Sequence, residues 1–169
     1  MKKLLALLFI LPFVSCTNVM SNKDITALDS RNAGIDMEVR YKGIFNHKDI
    51  VFDIESVSDE NSMADVFRAF LQAASKLKDE SFDKIEFAYK GKSKMYIDGY
   101  YFKTLGREFG DQNIIYTIRT FPENVKDMNG NSAFESWTGG LFMVAKEQME
   151  DFNEFNEKWY MSELPGGNL

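Results

Sequence analysis

The sequence has few of the side chains that enzymes use for nucleophilic or metal chemistry. Its 169 residues include one cysteine, Cys16, and one histidine, His47. A single cysteine excludes an intrachain disulfide and a cysteine zinc site. His47 follows Asn46 in a polar stretch, where a solvated turn accounts for it. We therefore expect no metal and no cofactor, and no catalysis by histidine or cysteine.

Basic residues are also fewer than acidic ones. Twenty Lys and Arg residues stand against 26 Asp and Glu, which gives a formal net charge of −6. An acidic surface repels the phosphate backbone, so we expect no nucleic-acid partner. With 44% hydrophobic residues, the chain can bury one core of ordinary size, which predicts a single folded domain.

The N-terminal segment has the order of a signal peptide. Lys2 and Lys3 precede an apolar run, LLALLFIL, at residues 4–11. A transmembrane helix needs about 20 apolar residues, and this run supplies roughly half of that. Residues 1–15 are therefore predicted to be a signal peptide and not a lasting membrane span.

The end of this segment, Val14-Ser15-Cys16, resembles the lipobox of bacterial lipoprotein precursors, although Phe13 stands where that family usually has Leu. The resemblance covers only residues 1–16. It implies that diacylglycerol is attached to the Cys16 thiol, that the chain is then cleaved between Ser15 and Cys16, and that the new amino terminus is acylated, for example with palmitate. Ordinary secretory cleavage near Ser15, which leaves a free thiol, is the alternative.

The lipobox resemblance also implies a location. A lipidated Cys16 would bind the chain to the lipid bilayer of the bacterial envelope. Thr17, and not Asp, follows the cysteine. In a cell with two membranes, that residue implies the outer membrane, with the protein facing the periplasm.

Hydrophobic patterning divides the rest of the chain. Residues 16–34 are polar and aperiodic beyond the cysteine, so we expect a flexible tether. Residues 35–162 are expected to form one α+β domain, and residues 163–169 a frayed C-terminus.

Four elements of this domain have clear periodicity. Alternating apolar residues predict a hairpin over residues 35–54 and a second one over 85–97. Ser62 and Asp65 form a capping-box pattern at the start of a helix that continues to Leu77. Asp98 is expected to cap a short helix that ends near Gly110.

The later elements are predicted from shorter patterns. We expect a strand over residues 114–118, a hairpin with Gly139-Gly140 as its turn, and a helix over 146–160. The result is an antiparallel sheet with two or three packed helices. The order between residues 50 and 119 is compatible with a ferredoxin-like split βαβ core, to which an N-terminal strand and a C-terminal helix are added.

Aromatic residues are abundant: 15 Phe, 7 Tyr and 2 Trp. Most have core spacing, but six fall off the predicted buried faces or beside turns: Tyr96, Tyr100, Tyr101, Phe121, Trp137 and Phe142. Surface aromatics are enriched at binding hot spots. Trp137, Phe142, Tyr100 and Tyr101 are therefore the candidate partner-binding residues of a non-enzymatic protein-binding module on the membrane.

Two other functions stay open. The acidic charge suits an immunity or inhibitor lipoprotein that neutralises a basic enzyme directed at the cell wall. A peptidoglycan hydrolase with two catalytic carboxylates is the enzymatic alternative, although Asp53, Glu55 and Asp98 have simpler explanations as a solvated strand face and a helix cap. The segment 127–135 misplaces the glycine and the glutamate of an EF-hand, so calcium is not expected.

Overall fold

The computed structural model describes residues 18–164. The signal peptide, its cleavage site, Cys16 and the last five residues lie outside this range. Eleven helices and strands follow in chain order: β1 (Asn18–Met20), α1 (Asn22–Leu28), β2 (Ile35–Gly43), β3 (Asn46–Val57), α2 (Met63–Lys76), β4 (Lys84–Tyr89), β5 (Lys92–Asp98), α3 (Gly99–Glu108), α4 (Ile114–Thr120), β6 (Lys126–Asp127) and α5 (Leu141–Trp159).

The six strands form one sheet in the order β1-β2-β3-β4-β5-β6. Only β3 and β4 are parallel, and α2 connects them. The α+β class with a mostly antiparallel sheet and packed helices is confirmed. The suggested split βαβ order is not the one observed, because β3 and β4 are direct neighbours and no strand lies between them.

The two hairpins and α2 form where the patterning predicts them, except that the first hairpin turns at residues 44–45. The predicted turn residues Asn46 and His47 belong to β3. Lys90 and Gly91 both have positive φ, 48° and 78°, which is the two-residue turn that matches the twist of adjacent strands. At α2, the Asp65 amide donates to Ser62 Oγ, and the Ser62 amide donates to the Asp65 carboxylate. The apolar face of α2 then packs on the sheet, where Phe70 meets Phe52 with 4.9 Å between ring centroids.

The prediction of a flexible tether over residues 16–34 is wrong from residue 18 onward. Asn18 and Met20 pair with β2, and α1 follows with a complete capping box between Ser21 and Asp24. Met20 and Ile25 are buried in the core. The sequence does not predict β1 because three residues are too few to show an alternating pattern. The strand is held instead by hydrogen bonds to the backbone of β2.

The expected strand at residues 114–118 is also wrong, because this segment is α4. Asn113 caps it by accepting a hydrogen bond from the Ile115 amide at 2.9 Å. Ile114 and Ile118 are four residues apart, so their spacing fits one helical face as well as it fits one strand face. Only Ile118 is buried.

The hairpin predicted around Gly139-Gly140 does not form. Gly140 is the N-cap of α5, which therefore starts five residues earlier than expected. Its buried side includes Phe152, Phe155 and Trp159. The predicted frayed end starts too early as well, since Glu163 lies in a short 3-10 helix and forms an ion pair with Lys94.

An aromatic cluster fills the space between the sheet and the helices. Phe121, which sequence patterning placed off the buried face, is at its centre. Its ring centroid lies 4.8 Å from that of Phe67 and 4.9 Å from that of Phe155. Tyr96 is buried too, on the sheet, with the Lys84 ammonium 4.2 Å from its ring centroid.

Candidate functional site

Exposed apolar side chains concentrate on the two C-terminal helices. Within residues 18–164, seven of the eleven exposed large hydrophobic residues belong to α4 or α5. Six of them form what we call the α4–α5 apolar surface: Ile114, Ile115, Tyr116, Leu141, Phe142 and Met143. Scattered exposed hydrophobic residues are normal in proteins, but concentration on two packed helices is typical of an interaction site.

The first turn of α5 is the most exposed part of this surface. Leu141, Phe142 and Met143 are 74%, 92% and 69% exposed, and the first fully buried residue of the helix is Gln148. The segment before α5 turns back along it. There the Trp137 indole Nε1 donates to Asp151 Oδ2 at 2.6 Å. This bond holds the segment that leads into the exposed turn.

Helix α4 is fixed against α5 by polar contacts. The Arg119 guanidinium donates from Nε and Nη2 to Gln148 Oε1 at 3.1 and 2.9 Å. The Gln148 amide nitrogen in turn donates to Glu123 Oε1 at 2.7 Å. With Ile118 buried beneath, the other isoleucines of α4 are left facing solvent. These hydrogen bonds hold α4 against the middle of α5.

Several carboxylates lie around Asp151 in the middle of α5. Burial raises the pKa of Asp151, the Trp137 hydrogen bond lowers it, and the nearby charges of Glu154, Glu123 and Glu135 raise it further. Asp151 has no ion-pair partner among the described residues. Asp151 therefore lies among other carboxylates beside α5.

A cavity of about 270 Å³ adjoins the apolar surface between α2, α3 and α4. Leu71, Leu105, Phe109 and Ile114 supply most of its apolar lining. Arg68 also reaches it. Its Nη1 donates to Asp65 Oδ1 at 2.5 Å, while its buried Nε has no hydrogen-bond partner among the described residues. The cavity is therefore an apolar recess beside Ile114, of a size that suits a side chain.

The four aromatic residues predicted from the sequence do not form one site. Trp137 and Phe142 belong to the same segment, with Trp137 half-buried. Tyr100 is 86% exposed but stands at the start of α3. Tyr101 points inward, where its ring lies 6.2 Å from Phe121 and burial raises the pKa of its hydroxyl. No ring contact among residues 18–164 joins any two of the four.

Sequence reasoning missed the five aliphatic and tyrosine members of the apolar surface. Ile114–Tyr116 were assigned to a strand, and Leu141 and Met143 to a hairpin. The signal that could have located them is the run Leu141-Phe142-Met143 directly after two glycines, because three consecutive apolar residues cannot all face the core of a helix.

Two of the three carboxylates considered for hydrolysis are paired with cations. Asp53 is buried and not part of a solvated face. It accepts from Arg40 Nη2 at 2.8 Å and from the Gly91 amide at 3.0 Å. Asp98 makes no side-chain cap to α3 and instead binds Lys126 at 2.6 Å. Glu55 is exposed.

Metal ligands are dispersed in the described part of the chain. No group of three or more histidine, cysteine or carboxylate side chains there could hold a metal ion. His47 lies against Tyr41, with 4.5 Å between ring centroids. Within residues 18–164, no helix is long and apolar enough to cross a bilayer.

Comparisons with known proteins add no relative. No family model matches the chain, and no curated protein and no solved structure is significantly similar to it. The interpretation of the site therefore depends on the geometry of the molecule.

Proposed function

We propose that this chain is a lipid-anchored protein of the bacterial envelope that binds another protein through the α4–α5 apolar surface. The observation that carries the proposal is the exposure of Leu141, Phe142 and Met143 in the first turn of a helix that is otherwise packed into the fold. Burying three such side chains in an interface is favourable by roughly 1.5–3 kcal/mol each before the cost of association.

The form of the surface favours a protein partner. Exposed aromatic and aliphatic side chains on rigid helices, beside a recess that can take a side chain, are the features of an interface centre. Small ligands instead require a pocket that covers most of their surface. The carboxylates around Asp151 favour a basic partner, which agrees with the immunity or inhibitor function and would steer such a partner to α5.

The lipid anchor is the second part of the proposal. It is supported by the resemblance of Val14-Ser15-Cys16 to a lipobox. Two or three acyl chains would hold the domain on a membrane permanently, where one chain alone binds only marginally. Radiolabelled palmitate should enter the wild-type protein and not Cys16→Ala. If the wild type stays unlabelled and its purified thiol is free, the anchor is contradicted.

The interface can be tested by photo-crosslinking in intact cells. A photoreactive residue is placed at Phe142 and, in a matched variant, at Phe45, which is 99% exposed at another site of the fold. We expect a discrete crosslinked protein from position 142 alone. Ile115→Asp should remove it while leaving the fold intact, because Ile115 is exposed. The same product from both positions, or one unaffected by Ile115→Asp, would contradict the proposed surface.

A further inference from the structure

The turn between β2 and β3 exposes two large apolar side chains that the α4–α5 surface does not include. Ile44 is 60% and Phe45 99% exposed, between the paired residues Gly43 and Asn46. We call these two residues the hairpin tip. Neither Ile44 nor Phe45 has positive φ, so this turn accepts most residue types and does not itself require two large apolar side chains. The position of the tip in the fold indicates what it contacts.

The register of β1 places the tip at the same end of the sheet as the start of the described chain. Asn18 pairs with Arg40 and Met20 with Val39, so β1 followed backward runs along β2 toward the tip. Cys16 precedes Asn18 by two residues, a separation of at most about 7 Å. Ile44 is four residues beyond Arg40, a strand rise of about 13 Å. The hairpin tip therefore lies farther along the strand direction, at about 13 Å, than the roughly 7 Å that Cys16 can reach from Asn18.

A third large exposed side chain, the ring of Tyr100, lies at this end. Lys84 pairs with both Asp49 of β3 and Asp98 of β5, so the start of β3 and the end of β5 are level in the sheet. Tyr100 follows Asp98 by two residues and is 86% exposed. Tyrosine is enriched where a membrane surface meets water, because its ring is apolar and its hydroxyl is polar.

We infer that the hairpin tip inserts into the headgroup region of the bilayer to which Cys16 is anchored, and so sets the orientation of the domain on that membrane. This inference rests on the lipid anchor of the proposed function. Two side chains are too few to recruit the protein alone, since even one long acyl chain binds only marginally. Ile44 and Phe45 insert only after the acyl chains have brought the hairpin tip to the membrane surface, and their insertion then orients the domain.

Apolar contact, and not charge, is the basis of this interaction. At the same end of the sheet lie two basic residues, Lys48 and Lys84, and two acidic ones, Asp83 and Asp98. Charges of both signs give no net attraction to anionic lipids. We therefore expect insertion into zwitterionic phosphatidylethanolamine bilayers, with little change when anionic phosphatidylglycerol is added.

The test supplies the anchor chemically. The mature chain from Cys16 has one thiol, which is coupled to maleimide-bearing phosphatidylethanolamine in vesicles. Phe45→Trp reports contact with lipids that contain bromine, which quenches indole fluorescence at short range. The matched variant is Glu60→Trp, in the exposed connection between β3 and α2 at the opposite end of the sheet. The signal of the parent protein, with its two native tryptophans, is subtracted.

We expect bromolipid quenching at position 45 to be at least threefold stronger than at position 60, and Ile44→Ser to reduce it. Equal quenching at the two positions, or crosslinking of position 45 to a second copy in place of lipid contact, would overturn the inference. Because the coupling replaces natural acylation, such a failure leaves the lipid anchor intact. A free Cys16 thiol in cells would overturn the proposed function and not the vesicle result.

Discussion

Substitution of Gly106 by alanine sets two opposite effects against each other. Gly106 is buried in α3 where this helix crosses α2, and a Cβ built on it would lie 2.3 Å from the Ala74 carbonyl oxygen. Ordinary contact between such atoms needs about 3.4 Å, so the helices must separate by about 1 Å. The Ala74 oxygen cannot turn away, because it belongs to the backbone and accepts from the Leu77 amide at 3.2 Å.

The clash should outweigh the gain in helix propensity. Alanine favours a helix interior by about 1 kcal/mol over glycine. Overpacking costs about 1–3 kcal/mol, and a rigid backbone oxygen places Gly106→Ala near the upper end. The net destabilisation is then about 2 kcal/mol, which lowers the melting temperature by roughly 4–8 °C in a domain of this size.

Urea unfolding of the mature chain, followed by circular dichroism, measures this difference. Gly43→Ala is the matched control, because its φ is not positive and no atom lies within 4 Å of the added Cβ. We expect the control to change the unfolding free energy by less than about 0.5 kcal/mol. A Gly106→Ala protein more stable than the wild type would refute the close approach of α2 and α3.

Three further predictions concern other parts of the fold. Ser62→Ala removes the hydroxyl that caps α2 and should cost about 1 kcal/mol in urea unfolding; no loss would mean that the cap is dispensable. Phe121→Ala opens the aromatic cluster and should cost about 3–5 kcal/mol, and a loss below 1 kcal/mol would contradict its central position. Asp151→Asn keeps an acceptor for Trp137. Because burial raises the folded-state pKa of Asp151, its contribution to stability is present at low pH and lost as pH rises through that pKa. The advantage of Asn over Asp in unfolding free energy should therefore grow between about pH 3 and pH 7, and an advantage that shrinks would be contrary to this sign.

The elements that could be predicted from the sequence are those whose signals are local and long. Helix α2 has a capping box at Ser62 and an apolar face over four turns, and three of the four hairpin strands alternate over at least five residues. Sequence patterns did not predict the elements whose structure depends on residues that are distant along the chain. β1 exists because β2 offers it a backbone partner, and the five residues 114–118 fit a helix and a strand equally well.

The residues of the candidate site likewise divide into those whose exposure the sequence indicates and those whose exposure depends on packing. The sequence indicates that Phe142 is outside the core, since glycines precede it and its apolar neighbours cannot all be buried. It does not indicate that Tyr101 turns toward Phe121, or that Ile115 faces solvent, because both depend on where α3 and α4 pack. Exposure is a property of the assembled layers, and local periodicity predicts it only for elements whose type has been assigned correctly.

The early start of the domain limits where a partner can be. An 18-residue tether would let the domain range roughly 23 Å from the membrane. Since β1 begins at Asn18, at most about 7 Å of chain separates a lipidated Cys16 from the sheet. A domain of this size has a radius of gyration of about 15 Å, so with the proposed lipid anchor its most distant surface would lie roughly 40 Å from the bilayer. A partner of the α4–α5 apolar surface must therefore come within about 40 Å of the membrane. Envelope proteins that are themselves bound to the membrane always lie within this distance.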